Sequence, residues 1–145
     1  MTRYLGLDHG SRRIGVAVGD SETGMAFARP ALQRRNLERD IAVIGELCVA
    51  EGADLVIIGL PLNMDGTEGV QAAHARAFGE RLAAIGLPIA YEDERLSSWE
   101  ATERMAEAGR RTRRGSGELD SMAARVTLQQ YLDARRRADP PEESE

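Results

Sequence analysis

Residues Arg3 to Asp20 read RYLGLDHGSRRIGVAVGD, two apolar runs joined by a short polar turn. Arg3 to Leu7 is rich in strand-forming residues, and Ile14 to Asp20 resumes as a second apolar strand. The connection between them is too short to contain a helix, so we predict an antiparallel hairpin. Asp8 follows the first strand and is expected in the turn, at the mouth of this hairpin.

The rest of the chain predicts helices alternating with strands. We first expect an edge strand at 26–33 that contains Pro30, then a helix capped by Asn36 with Gly52 just past its end, and a nearly continuous apolar central strand at 53–59. A loop at 60–68, a helix at 69–85 and a strand at 89–94 follow. The chain then predicts a helix from the capping box of Ser97 and Glu100 to about residue 108, an arginine-rich loop at 110–117 and a last helix at 119–137. The right-handed crossover rule makes strands 1, 4 and 5 parallel. The predicted fold is therefore α/β, a five-stranded mixed sheet whose first three strands are antiparallel, flanked by about four helices.

Side-chain spacing also predicts which helix faces are buried. On the helix at 69–85 the apolar face is predicted from three- and four-residue spacing to contain Val70, Ala73, Ala77, Phe78 and Leu82. Cys48 falls on the apolar face of the preceding helix, and we interpret it as a small core residue.

Composition indicates one domain of ordinary size, with 145 residues of which 42% are hydrophobic. We assign this domain to residues 1–137 and expect residues 138–145 to form a disordered acidic tail. A single cysteine excludes an intramolecular disulfide, and no stretch approaches eighteen apolar residues. Because the chain enters a strand without a leader segment, we expect a cytoplasmic protein with no membrane association.

The net charge of −5 is unevenly distributed. Four acidic residues lie in the tail, so the rest of the chain carries only about −1. All nineteen basic residues are arginine, and a cluster of four comprises Arg110, Arg111, Arg113 and Arg114. Guanidinium groups match phosphate groups bidentately, so this cluster can bind nucleic acid despite the acidic average. We assign the same role to Arg12, Arg13 and Arg95.

Acidic residues follow two of the predicted parallel strands. Asp8 ends the first strand and Asp93–Glu94 ends the fifth, and ligands gather at this rim of open α/β sheets. Asp120 lies in the first turn of the last helix, where by itself the helix dipole would explain it. Carboxylates converging on one rim would repel one another unless they hold one or two divalent cations. Such a site can activate water and stabilise the leaving oxygen of a phosphodiester.

Two other polar groups leave alternatives open. In the loop at 60–68, Asn63, Asp65 and Thr67 could contact nucleic acid, or could only form a turn. His9 is ambiguous because it adjoins Asp8, whereas His74 is expected to face solvent on its helix.

Several motifs of the chain closely resemble the YqgF/RuvX family. They are GLDHGSRRIGVAVGD at 6–20, VIIGLPLNMDGTEG at 56–69, DERLS at 93–97 and DSMAA at 120–124 with Leu128–Gln129. The resemblance implies an RNase H-like fold, Mg²⁺ or Mn²⁺ dependence and a bacterial cytoplasmic protein. It also implies one of two activities, maturation of the 5′ end of pre-16S ribosomal RNA or Holliday-junction resolution.

Carried over position by position, the family's acids fall on Asp8, Glu94 and Asp120, which are then both catalytic residues and metal ligands. Asp93 could replace Glu94, since alternation along a strand lets only one of two neighbours face the metal. The leading hypothesis is therefore a metal-dependent nuclease acting on RNA precursors or on branched or single-stranded DNA. We favour ribosomal RNA processing, because a resolvase usually needs a symmetric dimer and the sequence shows no obvious dimer helix. We therefore expect a monomer or a weak homodimer.

Two alternatives belong to other classes. A non-catalytic module of the same fold would bind nucleic acid in transcription or ribosome assembly and tolerate loss of any single acid. A phosphate-loop protein of the sugar-kinase and actin type would need two such lobes, and 145 residues supply only one.

Overall fold

The computed structural model describes residues 1–94 and 118–138. Within these ranges the elements are, in chain order, β1 (Arg3–His9), β2 (Arg13–Asp20), β3 (Ala26–Gln33), α1 (Leu37–Glu51), β4 (Leu55–Leu60), α2 (Val70–Ala84), β5 (Ile89–Asp93) and α3 (Glu118–Ala138). No helix in the described part of the chain has both the length and the hydropathy to cross a bilayer.

The five strands form one mixed sheet in the order β3-β2-β1-β4-β5. β2 pairs antiparallel with β1 and with β3, whereas β4 runs parallel to β1 and to β5. The predicted α/β architecture and the parallel set of strands 1, 4 and 5 are thus confirmed. Three helices are described; the fourth predicted helix, the arginine-rich loop and residues 139–145 lie outside the described ranges. Ala138, assigned to the tail, is the last residue of α3.

The hairpin is longer than predicted, and this changes the setting of Asp8. Asp8 and His9 continue the ladder by pairing with Gly15 and Ile14, and the N–H of Gly10 closes the turn by donating to the Arg13 carbonyl at 3.0 Å. Asp8 therefore lies inside β1, and its expected place in the turn is wrong. A strand position holds its side chain more rigidly than a turn would.

The predicted caps of α1 are observed, and they shift the start of β4. The Asn36 side chain accepts the N–H of Arg39, and Gly52 ends the helix in the left-handed conformation at φ 66°. The N–H of Ala53 then donates to the Cys48 carbonyl at 2.9 Å. Because Ala53 is still engaged in this helix end, β4 starts two residues later than predicted, at Leu55.

Side chains alternate between two cores, one on each face of the sheet. α1 and α2 cover one face, where the buried set includes Leu5, Leu7, Val16, Ile44, Ile58 and Phe78. α3 covers the other, where the buried set includes Tyr4, Ala17, Ile57, Leu128 and Leu132. β1 and β4 are consequently buried on both sides, and residues of even number in β1 face α3.

The buried face of α2 differs from the prediction. It consists of Ala72, Ala75, Phe78, Gly79 and Leu82, and Val70 is 68% exposed. Small residues occupy much of this face because α2 approaches the sheet closely. A Cβ at Gly79 would lie 2.4 Å from the Tyr91 hydroxyl and 3.0 Å from Ile58. The prediction favoured large apolar residues at three- and four-residue spacing, so it did not identify the small residues that face the sheet.

Candidate active site

Asp8 and Glu94 meet at the rim formed by the carboxyl ends of the parallel strands. Asp8 comes from β1, and Glu94 directly follows β5, where its N–H donates to the Leu60 carbonyl at 3.0 Å. Ala90 packs in the α3 core, so alternation along β5 places Glu94 on the same face as Asp8 and Asp93 on the opposite one. The register thus brings Glu94, rather than Asp93, beside Asp8.

The two carboxyl groups hydrogen-bond to each other, with Glu94 buried and Asp8 half-buried. Burial, followed by the charge of Asp8, raises the pKa of Glu94 from 4.5 to about 10. Burial also raises the pKa of Asp8 to about 6, partly offset by the hydrogen bond from Glu94 and reinforced by the charge of Asp120. At neutral pH the pair therefore retains a proton. Among the described residues, the buried Oε1 atom of Glu94 has no hydrogen-bond partner.

Gly59 makes room for this pair. It lies in β4, between the strands that carry the two acids, and is paired with Glu92 of β5. A Cβ on Gly59 would lie 2.9 Å from both Cδ and Oε1 of Glu94, closer than real Cβ contacts come. Glu94 can reach Asp8 across β4 only because position 59 has no side chain.

Asp120 lies at the same rim, supplied by the first turn of α3. That turn rests directly on β2, since a Cβ at Gly15 would be 2.0 Å from the Asp120 carbonyl oxygen. The Ser121 hydroxyl also accepts the N–H of Val16 at 3.2 Å. The missing side chain at Gly15 is what lets α3 bring Asp120 over the sheet, next to Asp8.

The carboxylate of Asp120 is bound by Arg13, whose Nε donates to Oδ2 at 3.0 Å. The described residues contain no group of three or more His, Cys, Asp or Glu side chains already arranged around one metal position. The structure thus brings two of the predicted acids into contact and holds the third nearby, in an ion pair.

Gln130 of α3 was not identified from the sequence, yet it anchors the strand that leads to Glu94. Its amide donates to the Glu92 carboxylate and to the Asp93 carbonyl, the latter at 3.0 Å. The available signal was weak, because a single polar residue in a helix forms no pattern that sequence reading can recognise. Gly15 and Gly59 had a better signal, because glycine inside a strand often marks a close approach.

The other predicted site residues are placed as follows. Arg12 is exposed in the hairpin turn. Arg95, Arg110, Arg111, Arg113 and Arg114 lie outside the described residues.

The polar side chains of the loop after β4 bond to each other. The Asn63 amide donates to the Thr67 hydroxyl at 2.9 Å, and Asp65 accepts the Thr67 N–H at 3.0 Å. Of the two readings of this loop, these bonds favour turn chemistry.

His9 is adjacent to Asp8 in sequence but points to the opposite face of the sheet. Its ring packs on Phe78 with centroids 4.6 Å apart. Burial, with the charge of Arg34 adding to it, lowers the pKa of His9 to about 4, so the ring is neutral at physiological pH. His9 therefore belongs to the α2 side of the molecule, and His74 is exposed as expected.

A mixed sheet of this strand order, with acids at the carboxyl ends of β1 and β5, defines the RNase H-like class. The fold is similar to a solved structure of T. thermophilus RuvC in complex with Holliday junction substrate, with a TM-score of 0.61 and 16% identity, covering 94% of this chain and 97% of that one.

Sequence comparison then gives the family. The protein-family model described as "RuvX: Holliday junction resolvase" matches residues 2–134 of this chain. A protein of Anaeromyxobacter sp. (strain Fw109-5) named "Putative pre-16S rRNA nuclease" is 45% identical over 134 residues, or 92% of this chain and 98% of its own length. A Synechococcus sp. protein of the same name is 43% identical, covering 91% and 89%. The chain belongs to the RuvX (YqgF) family.

Proposed function

We propose that this protein is a divalent-metal-dependent nuclease that matures the 5′ end of pre-16S ribosomal RNA, with Asp8, Glu94 and Asp120 as its catalytic residues. The observation that carries the proposal is the Asp8–Glu94 pair, in which a half-buried and a buried carboxyl group meet. Two carboxyl groups pressed together away from water are unfavourable for folding, and such perturbed pairs concentrate at functional sites. The names of the relatives supply the substrate.

The residues present fit a hard divalent cation such as Mg²⁺ or Mn²⁺. Its preferred ligands are carboxylate oxygens, and the pair offers a buried Oε1 of Glu94 to which no other described residue donates a hydrogen bond. A cation would replace the shared proton and remove the repulsion between Asp8 and Glu94. When bound, it would supply an activated water and neutralise charge that develops on the phosphate.

The remaining side chains have positioning roles in this proposal. Asp120 adds a third carboxylate once its ion pair with Arg13 opens, and Arg13 can then pair with a backbone phosphate. Gly59 and Gly15 keep the three acids within reach of one another. Gln130 holds the end of β5 so that Glu94 leaves the sheet on the α3 side.

Resolution of Holliday junctions is the second candidate, favoured by the printed description of the family model. The two functions differ in substrate and share the acid cluster. A junction resolvase must cut two strands symmetrically and so requires a dimer, whereas 5′-end maturation of an RNA does not. The substrate assay therefore decides between them.

The test uses a labelled precursor RNA containing the 16S 5′ end, a linear DNA and a four-way DNA junction, each with Mn²⁺ or with chelator. We expect cleavage of the RNA in Mn²⁺ only, and none by Asp8→Asn, whose fold is checked by circular dichroism. Glu46→Gln removes an exposed acid on α1 and is the matched control that should cut normally. An undiminished rate in Asp8→Asn would exclude the proposed chemistry, and cutting of the junction alone would favour the second candidate.

A further inference from the structure

A cleft of about 270 Å³ opens at the far end of α3 from Asp120. Two arginines, three hydroxyl-bearing residues, one glycine and one leucine line it: Arg135, Arg136, Thr2, Tyr4, Ser21, Gly24 and Leu132. None of the described residues that line the cleft carries a carboxylate. The cleft therefore combines two positive charges with several neutral donors, the combination that suits a phosphate group.

Both arginines are exposed, and each contacts residues at the cleft. The Arg135 guanidinium lies over the Tyr131 ring at 5.6 Å, and Tyr131 packs edge-on against Tyr4. Arg136 contacts Gly24, whose φ is +68° and whose Cβ, if present, would be 3.0 Å from Nη1. Pre-positioned guanidinium groups lose less conformational entropy when they bind an anion.

These two guanidinium groups also carry uncompensated charge. In the described ranges, neither Arg135 nor Arg136 forms an ion pair, unlike Arg3, Arg13, Arg29, Arg34 and Arg76. Asp20, next to the cleft residue Ser21, uses its carboxylate to accept the Thr23 N–H at 2.6 Å. Cations in the last turn of a helix also suit its dipole, but the dipole explains neither the hydroxyl groups nor the cleft.

The position of the cleft relates it to the acid cluster. Sixteen residues separate Asp120 from Arg136, which at 1.5 Å per residue is about 24 Å along α3. Arg125 precedes Arg136 by eleven residues, close to three full turns, so it lies on the same flank of the helix. For a strand that keeps duplex-like base stacking, with a rise of roughly 3.4 Å per nucleotide, this distance corresponds to about seven nucleotides.

We propose that this cleft binds a backbone phosphate of the nucleic-acid strand about seven nucleotides from the bond that is cut. It would act as an anchor that fixes how much of the strand the protein engages. The inference rests on the proposed nuclease function, because it takes Asp120 as the point from which the distance is measured. Binding itself, however, requires neither the cation nor hydrolysis.

The test measures fluorescence anisotropy of labelled single-stranded oligonucleotides of 4 and 16 nucleotides, in chelator, on the Asp8→Asn protein. Adding Arg135→Gln and Arg136→Gln should weaken binding of the 16-mer roughly tenfold and lower its salt slope by about 0.7, the value for one lost phosphate contact on a single strand. The 4-mer should change less than about twofold, since it cannot span both sites. Ser21→Asp, which leaves both arginines in place, should weaken the 16-mer by charge repulsion.

The control pair Arg39→Gln and Arg81→Gln removes the same charge from exposed positions on α1 and α2. The anchor would be overturned if the control pair and the cleft pair lowered the affinity for the 16-mer equally. It would also be overturned if the cleft pair lowered the affinities for the 4-mer and the 16-mer equally. Binding of inorganic phosphate in the cleft with no effect of the substitutions on the 16-mer would overturn it as well. A parent protein that binds neither oligonucleotide counts against the proposed function itself, whereas equal affinity for both lengths counts only against the cleft.

Discussion

Replacing Glu94 with glutamine should stabilise the metal-free protein at neutral pH while abolishing cleavage. The folded-state pKa of Glu94, about 10, lies above its ordinary value of 4.5. The unfolded chain therefore releases this proton first, and the free energy of unfolding falls as the pH rises from about 4.5 towards 10. Asp8, with its pKa raised to about 6, acts in the same direction between its ordinary value of 3.8 and that pH.

The size of the effect follows from the pH at which it is measured. A pH of about 7.5 lies roughly three units above the unfolded pKa of Glu94 and still below its folded pKa. Each of these pH units lowers the free energy of unfolding by about 1.4 kcal/mol. The penalty is thus about 4 kcal/mol at most, and a glutamine, which must still bury an amide, should recover about 2 to 4 kcal/mol of it. For a chain of this size that raises the melting temperature by roughly 4 to 16 °C.

The assay is thermal unfolding in chelator at about pH 4 and pH 7.5 for the parent, Glu94→Gln and the exposed control Glu46→Gln. The increase in melting temperature caused by Glu94→Gln should be large at pH 7.5 and nearly absent at pH 4, where Glu94 is protonated in the unfolded chain as well. Mn²⁺ should stabilise the parent more than the variant. Equal melting temperatures of the parent and Glu94→Gln at pH 7.5 would show that Glu94 is ionised in the folded state, and the argument from a shared proton would be wrong.

Two glycine substitutions test how the acids are brought together. Gly59→Ala places a Cβ 2.9 Å from the Glu94 carboxyl group and should reduce cleavage about 100-fold by displacing it. In the control Gly45→Ala, the new Cβ meets, among the described residues, only Ile85 at 3.6 Å, so activity should persist and the helix should gain about 0.5–1 kcal/mol. Gly15→Ala forces a Cβ to within 2.0 Å of the Asp120 carbonyl, and urea unfolding should show a loss of about 1–3 kcal/mol or more. Normal activity in Gly59→Ala, or normal stability in Gly15→Ala, would contradict the packing described.

Local patterns in the sequence were sufficient to predict the strands, the helices at 37–51, 70–84 and 118–138, and the parallel set β1, β4 and β5. They succeed because alternation, helical spacing and capping are short-range properties, and because the crossover rule limits how such units can join. The same rule predicted that Asp8 and the end of β5 would share a rim. The end of β1 was misplaced because no local signal shows where pairing with Gly15 and Ile14 stops.

Only the tertiary structure decided which acid accompanies Asp8, because the choice between Asp93 and Glu94 depends on the register of β5 against β4. It also decided that Asp120 pairs with Arg13, more than a hundred residues away in sequence. The raised pKa of Glu94 has the same origin, since a pKa responds to burial and to charges in space. Distances between remote segments are properties of the packed chain, and no stretch of sequence read alone contains them.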